Sequence, residues 1–155
     1  MAIDSTVHRT LAIEANNSTW EFLGESISEL TVENMEEMTR RAYAAAYHWA
    51  RAEGTTPVNT VRAEWLLSRV WSARSEGALA LQHAQRAVWG CKENGIADFD
   101  LAYALEASAR AHACLGDRDA AKQFLEESIA VTIADPQDRA QVESDLTSEP
   151  WFGMR

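Results

Sequence analysis

Two stretches of the sequence each place arginine and aromatic side chains at the spacing of one helix face. Positions 62, 65 and 69 are Arg, Trp and Arg, and positions 103, 106 and 110 are Tyr, Glu and Arg. Spacings of three and four residues bring side chains onto one side of a helix. Arginine offers a planar fork of donors that suits carboxylates, and aromatic rings add flat apolar area. This chemistry predicts a binding site for a protein or peptide with an anionic group, and the candidate residues are Arg62, Trp65, Arg69, Tyr103, Glu106 and Arg110.

The same residues also fit an internal network. Glu106 and Arg110 lie four residues apart, in the order that favours an ion pair within one helix. Arg69 can pair with Glu106 from a neighbouring helix, and Trp65 fits an ordinary core position. The sequence leaves a binding role and an intramolecular role equally open.

The histidines raise the question of a metal or acid–base site. Relative to the turn near Asp98, His83 lies 15 residues before and His112 14 residues after, so we expect both at one level on adjacent antiparallel helices. A zinc site needs a third and usually a fourth ligand, and no carboxylate or thiol is placed beside this pair. The prediction is a packed, hydrogen-bonded pair without a metal. His48 is expected to fill space near the two asparagines at 16–17.

The two cysteines are expected to stay apart. Cys91 lies 7 residues before the turn near Asp98 and Cys114 lies 16 residues after it. At ~1.5 Å per residue the axial offset is roughly 13 Å, too far for a disulfide. Neither thiol has an activating base, so no catalytic thiol is predicted. Phosphate-loop, nucleophile-elbow and His-Glu-x-x-His motifs are absent from the sequence, and no catalytic residue and no cofactor is predicted.

The charge balance argues against several classes of partner. The chain has 24 acidic and 14 basic residues, a formal net charge of −10, and its lysines are Lys92 and Lys122. Nucleic acid and anionic membranes need clustered basic residues, so neither is expected as a partner. No stretch approaches the ~18 apolar residues of a membrane span. Residues 1–10 lack the pattern of a secretory signal, and a cytoplasmic location is the expectation.

The composition predicts an all-α chain whose helices position these residues. Hydrophobic residues make up 46% of the 155, with 7 Gly and 3 Pro, a balance that favours helix. Thr56-Pro57 is typical of a helix start and Gly95 of a helix end. Short connections predict antiparallel neighbours. The seven predicted helices span about 7–29, 32–53, 57–74, 76–94, 99–115, 118–134 and 136–147.

A repeat appears when residues 61–88 are aligned with residues 102–129. Small residues coincide at Ser68/Ala109, Ala80/Ala121 and Ala87/Ser128. This pattern resembles the tetratricopeptide-repeat family, in which small and large residues alternate so that paired helices pack closely. The resemblance implies a single domain over 1–155 with three antiparallel helix pairs stacked as a short superhelix. Its parts are clear repeats at 61–94 and 102–135, a degenerate pair at 18–53 and a C-terminal capping helix.

In tetratricopeptide proteins the first helix of each pair lines a concave groove. By this resemblance the six candidate residues form one lining, suited to an extended peptide, a carboxylate terminus or an amphipathic helix. Residues 91–113 and 62–71 also resemble a group of small bacterial helical proteins with no assigned function. The leading interpretation is a protein-interaction module. The alternatives are a small-molecule or metal-dependent enzyme around His48, His83, His112 and Arg69, and a scaffold that forms a homodimer.

The residues after Pro150, Trp-Phe-Gly-Met-Arg, are too apolar to remain solvated. Trp151 and Phe152 are therefore expected to fold back on the last helices or to dock on a second copy.

Overall fold

A computed structural model gives the fold and describes residues 2–24 and 27–154. These residues form seven α-helices and no strand, so the predicted all-α class is confirmed. The elements in chain order are α1 (Ser5–Leu23), a short 3₁₀ helix (Ile27–Glu29), α2 (Val32–Trp49), α3 (Pro57–Ala73), α4 (Gly77–Asn94), α5 (Asp98–Cys114), α6 (Arg118–Ala130) and α7 (Pro136–Thr147).

The helix starts follow local capping chemistry. The side chain of Asp4 accepts a hydrogen bond from the Thr6 amide at 2.8 Å, and that of Thr31 accepts from the Asn34 amide at 3.1 Å. Pro57 and Pro136 occupy the first helical position of α3 and α7, as predicted. These side chains and prolines satisfy or remove amide groups that a helix start leaves without a partner.

Three helices end earlier than predicted. The helix expected over 7–29 ends at Leu23, and positions 25–26 within that range lie outside the described residues. α2 ends at Trp49, whose carbonyl accepts from the Thr55 hydroxyl at 2.8 Å instead of continuing the helix. α6 ends at Ala130 because Val131 takes an extended backbone, which turns Ile133 into the core. Apolar residues in both loops had extended the predicted helices too far.

Consecutive helices pack as adjacent pairs: α1 with α2, α3 with α4, and α5 with α6. The first helices also meet one another, since α3 contacts both α1 and α5, and α7 packs on α5. Within pairs, buried serines tie the helices together. The Ser68 hydroxyl donates to the Ala80 carbonyl at 2.8 Å, and the Ser128 hydroxyl donates to the Ala102 carbonyl at 2.7 Å. The small positions of the repeat alignment are therefore points of close helix contact.

Two apolar clusters lie on either side of α3 and α5. One joins α1, α2 and α3 around Met38, Leu66 and Val70. The other joins α5, α6 and α7 around Leu125 and Trp151. None of the described helices is both long and apolar enough to span a membrane.

A histidine pair links α1 to α2. Nδ1 of His8 lies 2.7 Å from Nδ1 of His48, so one nitrogen must donate and the other accept. His48 was expected near residues 16–17 but contacts His8 instead. Burial, followed by the charges of His8 and Arg51, holds the pKa of His48 below its usual value.

This pair predicts a loss of stability in mild acid. The unfolded chain protonates His48 near its ordinary pKa of about 6.5, whereas the folded chain resists protonation. The contribution is therefore present above about pH 6.5 and is lost as the pH falls below that value. We expect the urea midpoint to fall more between pH 7.5 and pH 5.5 for the wild type than for His48→Gln. His112→Gln removes a histidine elsewhere and should keep the wild-type pH dependence; an equal effect of both variants would contradict the prediction.

Candidate functional site

The site is centred on Glu106, a carboxylate with no exposed surface. Its Oε1 accepts from Nη1 of Arg69 at 3.0 Å and from Nε of Arg110, one helical turn along α5. Its Oε2 accepts from the indole nitrogen of Trp65 at 3.4 Å. Arg69 and Arg110 are themselves buried, at 6% and 0% exposure. We call Arg69, Glu106 and Arg110 the ion cluster.

The helix around Glu106 is built from small residues, and this allows the cluster to lie inside the protein. Ala102, Ala107, Ala109 and Ala113 are buried on α5 and let neighbouring helices approach it closely. α5 contacts α3, α4, α6 and α7, and so is enclosed by four helices.

Opposite charges decide the ionisation of the cluster. Burial alone would raise the pKa of Glu106, but the charges of Arg110 and Arg69 and the hydrogen bonds to the carboxylate outweigh it and hold the pKa below its usual value. Both arginines stay protonated. The cluster therefore holds two positive charges against one negative charge, and Nε of Arg69 has no hydrogen-bond partner among the described residues.

Arg110 also binds the end of the chain through backbone carbonyls. Its Nη1 donates to the carbonyls of Ser148 at 2.7 Å and Pro150 at 3.0 Å, and its Nη2 donates to the carbonyl of Asp145 at 2.8 Å. Asp145 lies in the last turn of α7, where the negative end of the helix dipole favours a cation. We call residues 148–154 the tail.

Trp151 anchors the tail. Its ring lies 4.2 Å from Cζ of Arg110, its indole nitrogen donates to the Leu146 carbonyl at 3.0 Å, and none of its surface is exposed. Phe152 packs half-buried against the same apolar cluster. The prediction that Trp151 and Phe152 fold back on the last helices is confirmed.

Beside the ion cluster, three rings form a row across the first helices. Trp20 of α1 lies 4.8 Å from Trp65 of α3, and Trp65 stacks on Tyr103 of α5 at 4.4 Å between centroids. We call these residues the aromatic row. The Tyr103 hydroxyl donates to Oδ2 of Asp145 at 2.5 Å, and burial followed by this bond raises the pKa of Tyr103. Trp20 and Trp65 remain partly exposed.

The structure brings five of the six predicted site residues together, namely Trp65, Arg69, Tyr103, Glu106 and Arg110. Arg62 lies apart, where its Nε donates to Asp100 at 2.8 Å and half of its side chain stays exposed. The internal network left open by the sequence is therefore present, and over Arg110 the expected open groove is filled by the tail.

Sequence reasoning missed several participants. The roles of Trp20 and Asp145 depend on distant helices meeting, which no local spacing reports. The carbonyls that bind Arg110 carry no signal in the identity of their residues. The apolar Trp151-Phe152 pair was the only available signal, and it indicated burial without showing where the tail docks.

The histidines do not form the expected pair. Nδ1 of His83 lies 2.6 Å from Glu64, and its Nε2 lies 3.3 Å from the Tyr43 hydroxyl. His112 instead stacks on Phe124, with 5.3 Å between ring centroids. Equal height along the helices was insufficient because His83 turns toward α2 and α3. With His48 bound to His8 and Arg69 bound to Glu106, the four groups of the alternative enzyme site have four separate sets of partners.

The thiols are separate, as predicted. Cys91 is buried and free, and Cys114 is half-buried and free. Burial raises the pKa of Cys91 to about 11, so this thiol stays protonated at neutral pH. Among the described residues, no group of three or more His, Cys, Asp or Glu side chains is placed to hold a metal ion.

A surface groove of about 560 Å³ lies away from the ion cluster, between the start of α3 and the end of α4. Its lining includes Pro57, Val61 and Trp89, and its charged groups are Glu64 and Arg86. Glu64 is already bound to His83. The groove therefore offers apolar surface but no set of converging acid–base groups.

Comparison with known proteins gives no match to any family model, curated protein or solved structure. Function is therefore argued from the geometry of the site.

The ion cluster predicts a large effect of a small substitution. Glu106→Gln keeps the size of the side chain but leaves two buried arginines without their carboxylate, and removal of one partner from a buried pair costs about 3–5 kcal/mol. We expect that loss in the free energy of unfolding, measured by urea denaturation. Glu37→Gln is the matched control, since Glu37 pairs with Arg41 at the surface, and it should cost far less. Equal losses would contradict a structural role for the cluster.

The burial of both arginines also changes an expectation from sequence. An accessible groove would let Arg69→Glu with Arg110→Glu keep the fold and lose only binding. With both residues buried beside Glu106, the double variant instead places three carboxylates together and should fail to fold.

Proposed function

We propose that the protein is an interaction module, resembling a short tetratricopeptide stack, that holds a polypeptide segment on the face formed by α1, α3 and α5. One observation carries this proposal: the face already holds a segment of polypeptide, its own tail, through three backbone carbonyls bound to Arg110. Backbone recognition of this kind is how peptide-binding surfaces obtain affinity for a chain.

The uncovered part of this face has the chemistry of a peptide site. Trp20 and Trp65 offer partly exposed indole rings, which contribute large contact area at low entropic cost. Arg62 keeps half of its side chain exposed nearby on α3, and in a chain of net charge −10 it is a local attraction for an anionic group. A peptide or protein segment with a carboxylate fits both features.

The other interpretations have weaker support. The enzyme needs convergent acid–base groups, and His48, His83, His112 and Arg69 each have their own partners. A homodimer remains an outcome of the experiments below. The two free thiols support a cytoplasmic location for the module.

Selection from a displayed peptide library against the full chain tests the proposal. We expect enriched peptides whose affinity, measured by fluorescence anisotropy, falls at least about tenfold in Trp20→Ala or Arg62→Glu, a change of ~1.4 kcal/mol. Arg118→Glu reverses an exposed arginine on α6 and should leave the affinity unchanged. Circular dichroism must show the helical content of the wild type in all three variants.

Two results would contradict the proposal. Either no peptide is enriched on the folded chain, or Arg118→Glu weakens binding as much as Arg62→Glu, which would indicate a general charge effect.

A further inference from the structure

We infer that the tail is an exchangeable, intramolecular ligand that occupies the partner's place, an inference that rests on the proposed function. The partner segment is then a copy of the tail's chemistry: a helix end with an acidic residue, followed six positions later by an aromatic residue. In this chain those positions are Asp145 and Trp151. A segment of another protein that carries this pattern would displace the tail.

The contacts made by the tail are those of a bound peptide. Arg110 donates to carbonyls at three positions and lies over the ring of Trp151. The Tyr103 hydroxyl donates to the Asp145 carboxylate. The site thus recognises backbone at three points, a carboxylate at one and an aromatic ring at one.

The attachment of this segment to the rest of the fold is narrow. α5 buries eleven side chains, whereas α7 buries two, Val142 and Leu146. α7 packs mainly on α5 and follows the connection at residues 131–135. Segments with few buried side chains open at lower free energy than the core. The residues from α7 onward can therefore leave while the other helices stay packed.

The groups uncovered by that opening decide what can replace the tail. Arg110 would lose three acceptors and Tyr103 one, and buried donors without acceptors are costly. A point anion could satisfy only part of this set, because the acceptors are distributed along a chain. The ion cluster has an excess of one positive charge, which favours an acidic residue in the incoming segment. These requirements point to a polypeptide partner.

Competition between the tail and an added peptide tests the inference. The probe is a fluorescein-labelled synthetic peptide with the sequence of residues 144–155, and the receptor is the full chain. In the wild type the covalently attached tail competes at an effective concentration of about millimolar. Trp151→Ala removes the anchor of the tail without changing the receptor, so we expect the probe to bind this variant at least about tenfold more tightly than the wild type.

Three controls make the result specific. Phe152→Ala is a milder tail variant and should show a smaller increase in probe affinity. Met38→Ala destabilises the other apolar cluster while leaving the tail intact, and should bind the probe no better than the wild type. Probe peptides carrying Trp151→Ala or Asp145→Asn should bind the Trp151→Ala chain at least about tenfold more weakly than the unchanged probe.

Several results would overturn the inference. One is no probe binding to folded Trp151→Ala or Phe152→Ala chains, and another is equal gains in Met38→Ala and Trp151→Ala. A wild-type dimer that dissociates in Trp151→Ala would make a second copy the partner in place of another protein. If the probe fails while library-selected peptides still depend on Trp20 and Arg62, the tail is structural and the proposed function stands. If those peptides fail as well, both proposals fall.

Discussion

The buried carboxylate of Glu106 is the interaction on which the rest of the structure depends. A charge without exposed surface is tolerated only when partners compensate for its lost hydration, and here two arginines do so. One arginine comes from α3, and the other lies a turn away on α5 and reaches the residues after α7. A single ionised group thereby fixes the positions of two helices and of the tail relative to one another.

The ion cluster also separates two kinds of surface on one face. Toward α1, the aromatic row continues to partly exposed indole rings and to Arg62. Toward α7, the same face is closed by the tail. The competition experiment distinguishes a site that is permanently closed from one that a partner can open. The aromatic row is the shared wall of both parts, because Trp65 contacts Trp20 and Glu106 while Tyr103 contacts Asp145.

Sequence alone predicted the helices well, because proline, capping side chains and the spacing of small residues act locally. It also selected five residues that do meet, since spacings of three and four residues fix a helix face. It could not decide whether Arg69 and Arg110 face solvent, because that depends on what packs above them. The histidines show the same limit: equal height along two helices does not fix the direction of a side chain, and His83 found Glu64.

The carbonyl contacts of Arg110 have a consequence for how this chain can vary over evolution. Every residue supplies a carbonyl, so the identities of Ser148 and Pro150 can drift as long as the path of the backbone is kept. Arg110, Tyr103 and Trp151 have no such freedom, because their side chains make the contacts. Among homologues, we expect a variable stretch bounded by invariant side chains.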